Sequence, residues 1–303
     1  FELMGFDTDL KLLELANLDH PLLRNLMLRA PGSYHHSVMV GTLAEAAAEA
    51  IGANALQARV ASYFHDIGKA VRPQYFIENQ RDGVNRHERL TPHQSARVII
   101  DHVRDGGLIA KKHKLPKVIV DNIYMHHGTG TVYYFLRQAQ ANGPGVDAED
   151  FRYPGPKPNT REAGVIMLAD KIEAACRSIK EPTPERVAIM IQRIINSVMA
   201  EGQFDECPLT VKELRIIAEV FQKTILAIHH HRIEYPDAVV APGEKLPDAP
   251  SSGTEPVITL ELNTGDLALP PDDRSPRRDL PDEVVAVVDY ESPEYLPGLG
   301  GER

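Results

Sequence analysis

The sequence predicts an all-α domain, and three observations carry that prediction. Successive segments place apolar residues at i, i+3, i+4 and i+7, one face of a helix each. Proline, glycine and capping residues punctuate them at intervals suited to helices. No segment before Pro236 reads as a strand. The chain has 303 residues, 43% hydrophobic and 25% charged, enough for one large domain with a core, or a domain with appendages.

Taken in order, residues 8–30 read as one or two helices, broken near Asn17–Pro21, with Leu22, Leu23, Leu26 and Met27 on the apolar face. Ala30-Pro31-Gly32-Ser33 is a turn, with Ser33 expected to cap the next helix. That helix carries Val40, Leu43, Ala44, Ala47 and Ile51 at helical spacing, and His36 falls on the same stripe. Gly52 ends it, and Asn54 caps a helix whose stripe of Leu56, Val60, Tyr63, Phe64 and Ile67 runs through His65-Asp66 into Gly68-Lys69. A polar, turn-rich stretch follows through Arg89. Thr91-Pro92 opens a helix burying Ala96, Ile99, Ile100 and Val103, with His102 three residues after Ile99. Pro116 starts another, on which Ile119, Ile123, His126 and His127 share a face, and Gly128 stops it. After Val132–Gln140 comes a Gly- and Pro-rich loop, 141–159, long enough inside a domain to suggest function. Ala163, Ile166, Met167, Asp170 and Ala174 then form one stripe, and amphipathic helices follow near 184–201 and 210–234.

Past residue 235 the character changes. Residues 236–303 hold 11 of the 23 prolines and carry 15 acidic against 5 basic side chains, which accounts for the whole net charge of −10. The division expected is a helical domain over 1–235 and a disordered acidic tail over 236–303. The short apolar runs Val257–Leu262 and Val284–Val288 read as sticky patches in that tail. A charge-balanced core lacks the basic footprint of a protein that binds nucleic-acid polymers. Two distant cysteines, Cys176 and Cys207, exclude a disulfide scaffold and suit a reducing cytosolic setting. No apolar run is long enough to cross a bilayer, and the chain, starting at Phe1, reads as a fragment of something longer.

Five histidines and two aspartates stand out by position: His36, His65, Asp66, His102, His126, His127 and Asp170. Most lie on or beside the face their helix buries. A carboxylate on an apolar stripe costs several kcal/mol unless it is paired or bound to a cation. Any one of these residues alone is an ordinary buried group hydrogen-bonded to backbone; five helices each placing titratable groups in a core is harder to explain that way. Imidazole with carboxylate is the ligand chemistry of Fe, Mn or Zn, and seven ligands exceed what one ion needs.

This set resembles the HD-domain metallophosphohydrolase superfamily, whose H…HD…D pattern is matched by His36, His65-Asp66 and Asp170. His102 and His126-His127 resemble the subset with a second metal. The stretches Ala30–Ser37 (APGSYHHS), His65–Lys69 (HDIGK), Pro73–Gln80 (PQYFIENQ), His126–Thr129 (HHGT) and Asp150–Pro158 (DFRYPGPKP) are similar to the cytoplasmic domain of the seven-transmembrane HD, or PgpH-type, phosphodiesterases, over residues 8–236. The resemblance implies an HD-domain helical bundle with a di-iron or di-manganese centre that hydrolyses cyclic di-AMP to linear pApA. It implies a cytoplasmic domain tethered by a membrane region absent from this sequence. It also implies roles. His36, His65, Asp66 and Asp170 would hold one metal, with Asp66 bridging to a second held by His102, His126 and His127. Asp66 and Lys69 would be the catalytic pair, Lys69 neutralising a phosphate oxygen. Arg152, Tyr153 and Lys157 in the long loop would meet the substrate, the loop serving as a lid; a crossover stiffened by Pro154, Pro156 and Pro158 is the equal alternative.

The remaining histidines are weaker candidates. His35 competes with His36 for one position, and the stripe favours His36. His20 precedes proline; His87, His93 and His113 are expected to be solvated; His229-His230-His231 reads as a helix surface. Rival functions are an HD hydrolase of dNTPs, alarmones or cyclic di-GMP, the last lacking its Gly-Tyr-Pro signature after His126-His127, and an inactive metal-binding signalling scaffold.

Overall fold

The computed structural model describes residues 9–80, 84–179 and 182–230. Among them there is no strand; an isolated antiparallel bridge joins Thr131 to Arg152. The expected tail, 236–303, and its two apolar runs lie outside the described residues, as do His231 and the side chains of the two histidines before it.

Two short helices, α1 (Asp9–Leu15) and α2 (Pro21–Arg29), lead in, broken where expected; His20 caps α2 by accepting from the Leu22 N–H. The central helix is α3 (Pro31–Ala50), against which α2, α4 (Ala55–Phe64), α8 (Arg161–Arg177) and α10 (Val211–His230) all pack. Its buried face is mostly small, with Val40, Ala44, Ala47 and Ala48 fully covered, and small side chains let neighbours approach closely. One expectation fails at its start. Ser33 does not cap α3; the helix begins two residues earlier, at Pro31, whose fixed φ suits a first helical position. The Ser33 hydroxyl instead donates to Glu78.

Local signals place the other boundaries well. Gly52 and Gly128 follow α3 and α6 (Lys117–Met125) at φ +66 and +54, a region open to glycine at little cost. Asn54 accepts from the Gln57 N–H to cap α4. Thr91 and Gln94 form a reciprocal capping box at the head of α5 (Pro92–Lys112). Between α4 and α5 the chain makes three 3₁₀ turns, Ile67–Val71, Pro73–Tyr75 and Ile77–Asn79. The main apolar core joins α1–α4, the end of α5, α6, α8, α9 (Pro184–Ala200) and α10. A second, aromatic core gathers Tyr75, Phe76, Phe135, Phe151 and Tyr153 between α5 and α7 (Tyr133–Asn142). The polar cluster described next lies where α3, α4, α5, α6 and α8 converge.

Helix α8 is buried nearly all round, from Ala163 to Cys176. Two carboxylates, Asp170 and Glu173, sit within that run, and their desolvation must be compensated.

Candidate metal centre

All seven residues singled out in the sequence come together. His36 projects from the first half of α3 and His102 from the middle of α5. His65 and Asp66 do not lie on α4, as the apolar stripe suggests; the helix ends at Phe64, and the pair occupies the turn into the 3₁₀ segment. His126 and His127 likewise follow the last residue of α6, and Asp170 comes from α8. Six are buried, and the His127 side chain is 18% exposed.

The geometry divides the cluster in two. His36, His65 and Asp66 form one group of converging ligand atoms, and His102, His126 and His127 form another, each within 4.8 Å. Asp66 faces both. Its Oδ2 lies 3.3 Å from His65 Nε2 and 3.6 Å from His36 Nε2, while Oδ1 lies 3.3 Å from His102 Nε2 and 3.8 Å from His126 Nε2. Asp170 repeats the division on a second wall. Its Oδ1 is 3.0 Å from His36 and 3.7 Å from His65, and its Oδ2 is 3.6 Å from His127 Nδ1.

Second contacts fix which nitrogen faces inward. His65, His102 and His126 each place Nδ1 on the carbonyl three residues back, at 2.7, 2.5 and 2.7 Å. A carbonyl can only accept, so Nδ1 donates in each ring and Nε2 is the nitrogen turned toward the cluster, the one left for a metal. His36 uses a carboxylate instead: Nδ1 meets Glu173 Oε2.

Burial opposes charge at each of these groups, yet the shifts run toward charge on one side of the cluster. Despite burial, His65 and Lys69 hold Asp66 well below the carboxylate range, and hydrogen bonds from His36 and His65 do the same for Asp170. Burial would also lower His65, but Asp66 and Asp170 prevail and push it to about 10; Asp170 and Glu173 likewise raise His36. On the other side, burial with His65 and His102 pushes His126 down to about 3, and burial with His126 holds His127 well below its usual value. One half therefore seeks positive charge, and on the other His126 and His127 are held neutral. Asp66 Oδ1 is buried without a well-aligned hydrogen bond, and Oδ2 has the Lys69 ammonium at 2.8 Å. A buried carboxylate oxygen left in that way is rare, and this donor set fits divalent cations.

The comparisons agree with this geometry. Residues 33–175, the span holding every residue of the cluster, match the family model for the HD domain. The chain is 49% identical over 234 residues to the cyclic-di-AMP phosphodiesterase PgpH of Bacillus subtilis, and 47% identical over 235 residues to PgpH of Listeria monocytogenes. These matches cover 77% and 78% of this chain; the chain spans about a third of the length of those relatives, 33% of each. The crystal structure of the L. monocytogenes PgpH HD domain is 46% identical, with a TM-score of 0.67, and aligns over 70% of this chain and 100% of its own. The same domain in complex with cyclic-di-AMP gives 0.68. The chain belongs to the HD-domain family.

In this HD domain the sequence reading missed a shell of charge behind the candidate ligands. Glu173, one turn beyond Asp170 on α8, holds His36 and pairs with Arg177 at 2.9 Å. Its spacing carries the signal, since i and i+3 place Asp170 and Glu173 on one helix face. Glu78 lies on a 3₁₀ turn with no periodicity to flag it, and its carboxylate meets Lys69 at 2.9 Å. Lys69 itself lies 2.8 Å from Asp66 Oδ2, its side chain 13% exposed and its ammonium 5.0 Å over the Phe76 ring.

The long loop is tied down in its second half. Val132 donates to Phe151 O, Tyr153 donates to Gly130 O, and Phe151 is fully buried. Arg152 reaches Thr129 O and Glu149, and Lys157 pairs with Asp205 at 2.9 Å. Tyr153 is 9% exposed and stacks on His127, ring centres 4.3 Å apart. In this conformation the loop forms a crossover that buttresses His127. Gln203, another residue the sequence did not flag, accepts from the Thr129 N–H and ties down the same turn. Among the other histidines, His35 is exposed and His93 half-exposed. His87 corrects its expectation: it is buried between Tyr75 and Phe135, with Nε2 on Tyr75 O, and burial pushes it down to about 4. The polar sequence around it hid an aromatic core assembled from distant helices.

Proposed function

We propose that this HD domain, over residues 1–235, is a metal-dependent phosphodiesterase that hydrolyses cyclic di-AMP to linear pApA. The observation that carries the reading is the division of Asp66, whose two oxygens face separate groups of ligand atoms. His36, His65, Asp66 and Asp170 are assigned to one cation, and His102, His126 and His127 to a second that shares Asp66. With both carboxylates and imidazoles in the set, iron or manganese suits it better than zinc. A pair of such ions supplies Lewis acidity toward a phosphodiester and lowers the pKa of water enough to give a nucleophile near neutral pH.

The side chains supply the rest. The backbone carbonyls behind His65, His102 and His126 hold their rings in register, so little reorganisation is needed when ligand binds. Lys69 has three donors; Asp66 and Glu78 engage two, and a third remains for a phosphate oxygen. Arg152, Tyr153 and Lys157 are assigned to the substrate side of the loop, Tyr153 also keeping His127 upright. The likeness to PgpH, one of whose HD-domain structures is a complex with cyclic-di-AMP, supports this substrate. The resemblance to seven-transmembrane proteins supports a cytoplasmic domain tethered by chain outside this sequence. Among the described residues no helix is long and apolar enough to cross a membrane.

The test is an HPLC assay of the purified domain with Mn²⁺ against cyclic di-AMP, cyclic di-GMP and dNTPs. Formation of pApA from cyclic di-AMP in preference to products from the others is expected. Preferred turnover of a dNTP or cyclic di-GMP would overturn the substrate, and metal uptake without turnover of any would favour a scaffold.

A further inference from the structure

Three of the quoted stretches meet at one point. Ser33 donates its N–H to Asn79 Oδ1 at 3.1 Å and its hydroxyl to Glu78 Oε1 at 2.8 Å, and Asn79 Nδ2 returns a bond to Ser33 Oγ at 2.9 Å. Gly32 makes the approach possible, since a Cβ there would lie 1.8 Å from the Glu78 carbonyl oxygen. The same Glu78 Oε1 receives the Lys69 ammonium, whose other partner is Asp66 Oδ2. Stretches 30–37 and 73–80 are thus built to hold one carboxylate, 7% exposed, against the lysine of the third.

The position of that lysine poses an electrostatic problem. Its ammonium lies 2.8 Å from the oxygen that also faces His36 and His65. A divalent cation held by His36, His65 and Asp66 would share that oxygen with a like charge, and at such range in a buried site the repulsion is strong. A carboxylate on the far side of the ammonium offsets it and holds the ammonium back. We propose that Glu78 is a positioning residue, the counter-ion that keeps Lys69 from competing with a metal ion for Asp66. The proposal rests on the reading of this group as a metal site and adds a role for a residue that touches no ligand atom of it.

The sign of the effect makes it testable without turnover. Glu78→Gln keeps the shape and the acceptor oxygen shared by Ser33 and Lys69 but removes the charge, leaving Asp66 as the one carboxylate in contact with the ammonium. Lys69→Met removes the competitor. Mn²⁺ affinity is measured by competition with a chromophoric chelator and stoichiometry by elemental analysis, for wild type, both single variants and the double, with circular dichroism confirming helix content. In Glu78→Gln one of the two ions should bind about tenfold or more weakly, the size usual for residues behind a metal site, and the other should be unchanged. Lys69→Met should bind no more weakly than wild type, and adding Glu78→Gln to it should change affinity less than about twofold, because the charge Glu78 opposes is gone. Wild-type affinity in Glu78→Gln, or a loss that persists in the Lys69→Met background, would overturn the proposal while leaving the metal site standing. Absence of metal uptake by the wild type would overturn both.

Discussion

Replacing Gly68 with Ala tests whether the packing of one turn sets the geometry of the proposed metal centre. The 3₁₀ segment Ile67–Val71 lies directly on α5, and a Cβ at Gly68 would stand 1.9 Å from the His102 carbonyl oxygen and 2.5 Å from the Gly106 nitrogen. Ordinary contact starts at 3.4 Å, so about 1.5 Å of separation must be found. Both atoms it meets are backbone, and no rotamer change can relieve the clash. Overpacking costs about 1–3 kcal/mol, and the upper end applies where main chain has to move. For a domain of this size that lowers Tm by roughly 6–12 °C, at about 2–4 °C per kcal/mol. The residue pushed is His102, whose Nε2 lies 3.3 Å from Asp66 Oδ1 and 3.2 Å from His126 Nε2, so the second ion should be lost with the stability. Thermal unfolding followed at 222 nm in the presence of a chelator isolates the packing term from metal linkage, and elemental analysis without chelator reports the ions. Gly143→Ala is the control: no atom lies within 4 Å of its Cβ, and its stability should stay within about 0.5 kcal/mol of wild type. A Gly68→Ala protein that melts within about 2 °C of wild type and binds two ions would refute the reasoning.

Three further outcomes are expected. Asp170→Asn removes one charge from between His36, His65 and His127 while keeping the volume, so the helix content should survive with reduced metal occupancy and near-zero turnover; full occupancy and activity would remove Asp170 from the site. His87, buried neutral with a folded pKa of about 4 against 6.5 unfolded, contributes stability that is fully present above pH 6.5 and is lost as pH falls toward 4. The loss is about 3 kcal/mol at most, and urea midpoints across that range should fall less steeply in His87→Gln. Arg152→Ala and Lys157→Ala should raise KM for cyclic di-AMP if the loop meets substrate; an unchanged KM for both would leave the loop only its role as a crossover.

The helices were legible because their causes are local. Apolar residues at helical spacing, the Asn54 and Thr91 caps, and Gly52 and Gly128 at positive φ act within a few residues of where they stand. The metal-ligand candidates were legible for a related reason: each is a polar side chain on or next to a stripe that should be apolar, a conflict visible within one helix. Ser33 shows where local reading stops. Its type and place suggest a cap, and a partner 45 residues away claims its hydroxyl. His87 looks solvated among polar neighbours until Tyr75 and Phe135 close over it.

The sequence by itself determined the helical architecture, the family and the set of seven clustered residues. Only the tertiary structure decided how those residues divide, because the division depends on which oxygen of Asp66 faces which imidazole. It also decided which charges stand behind them. His36 and Glu173 are 137 residues apart, and Lys69 meets Glu78 across an irregular turn. No periodicity links such pairs; they are chosen by the convergence of helices on a buried site, where desolvation penalises any charge left without a partner.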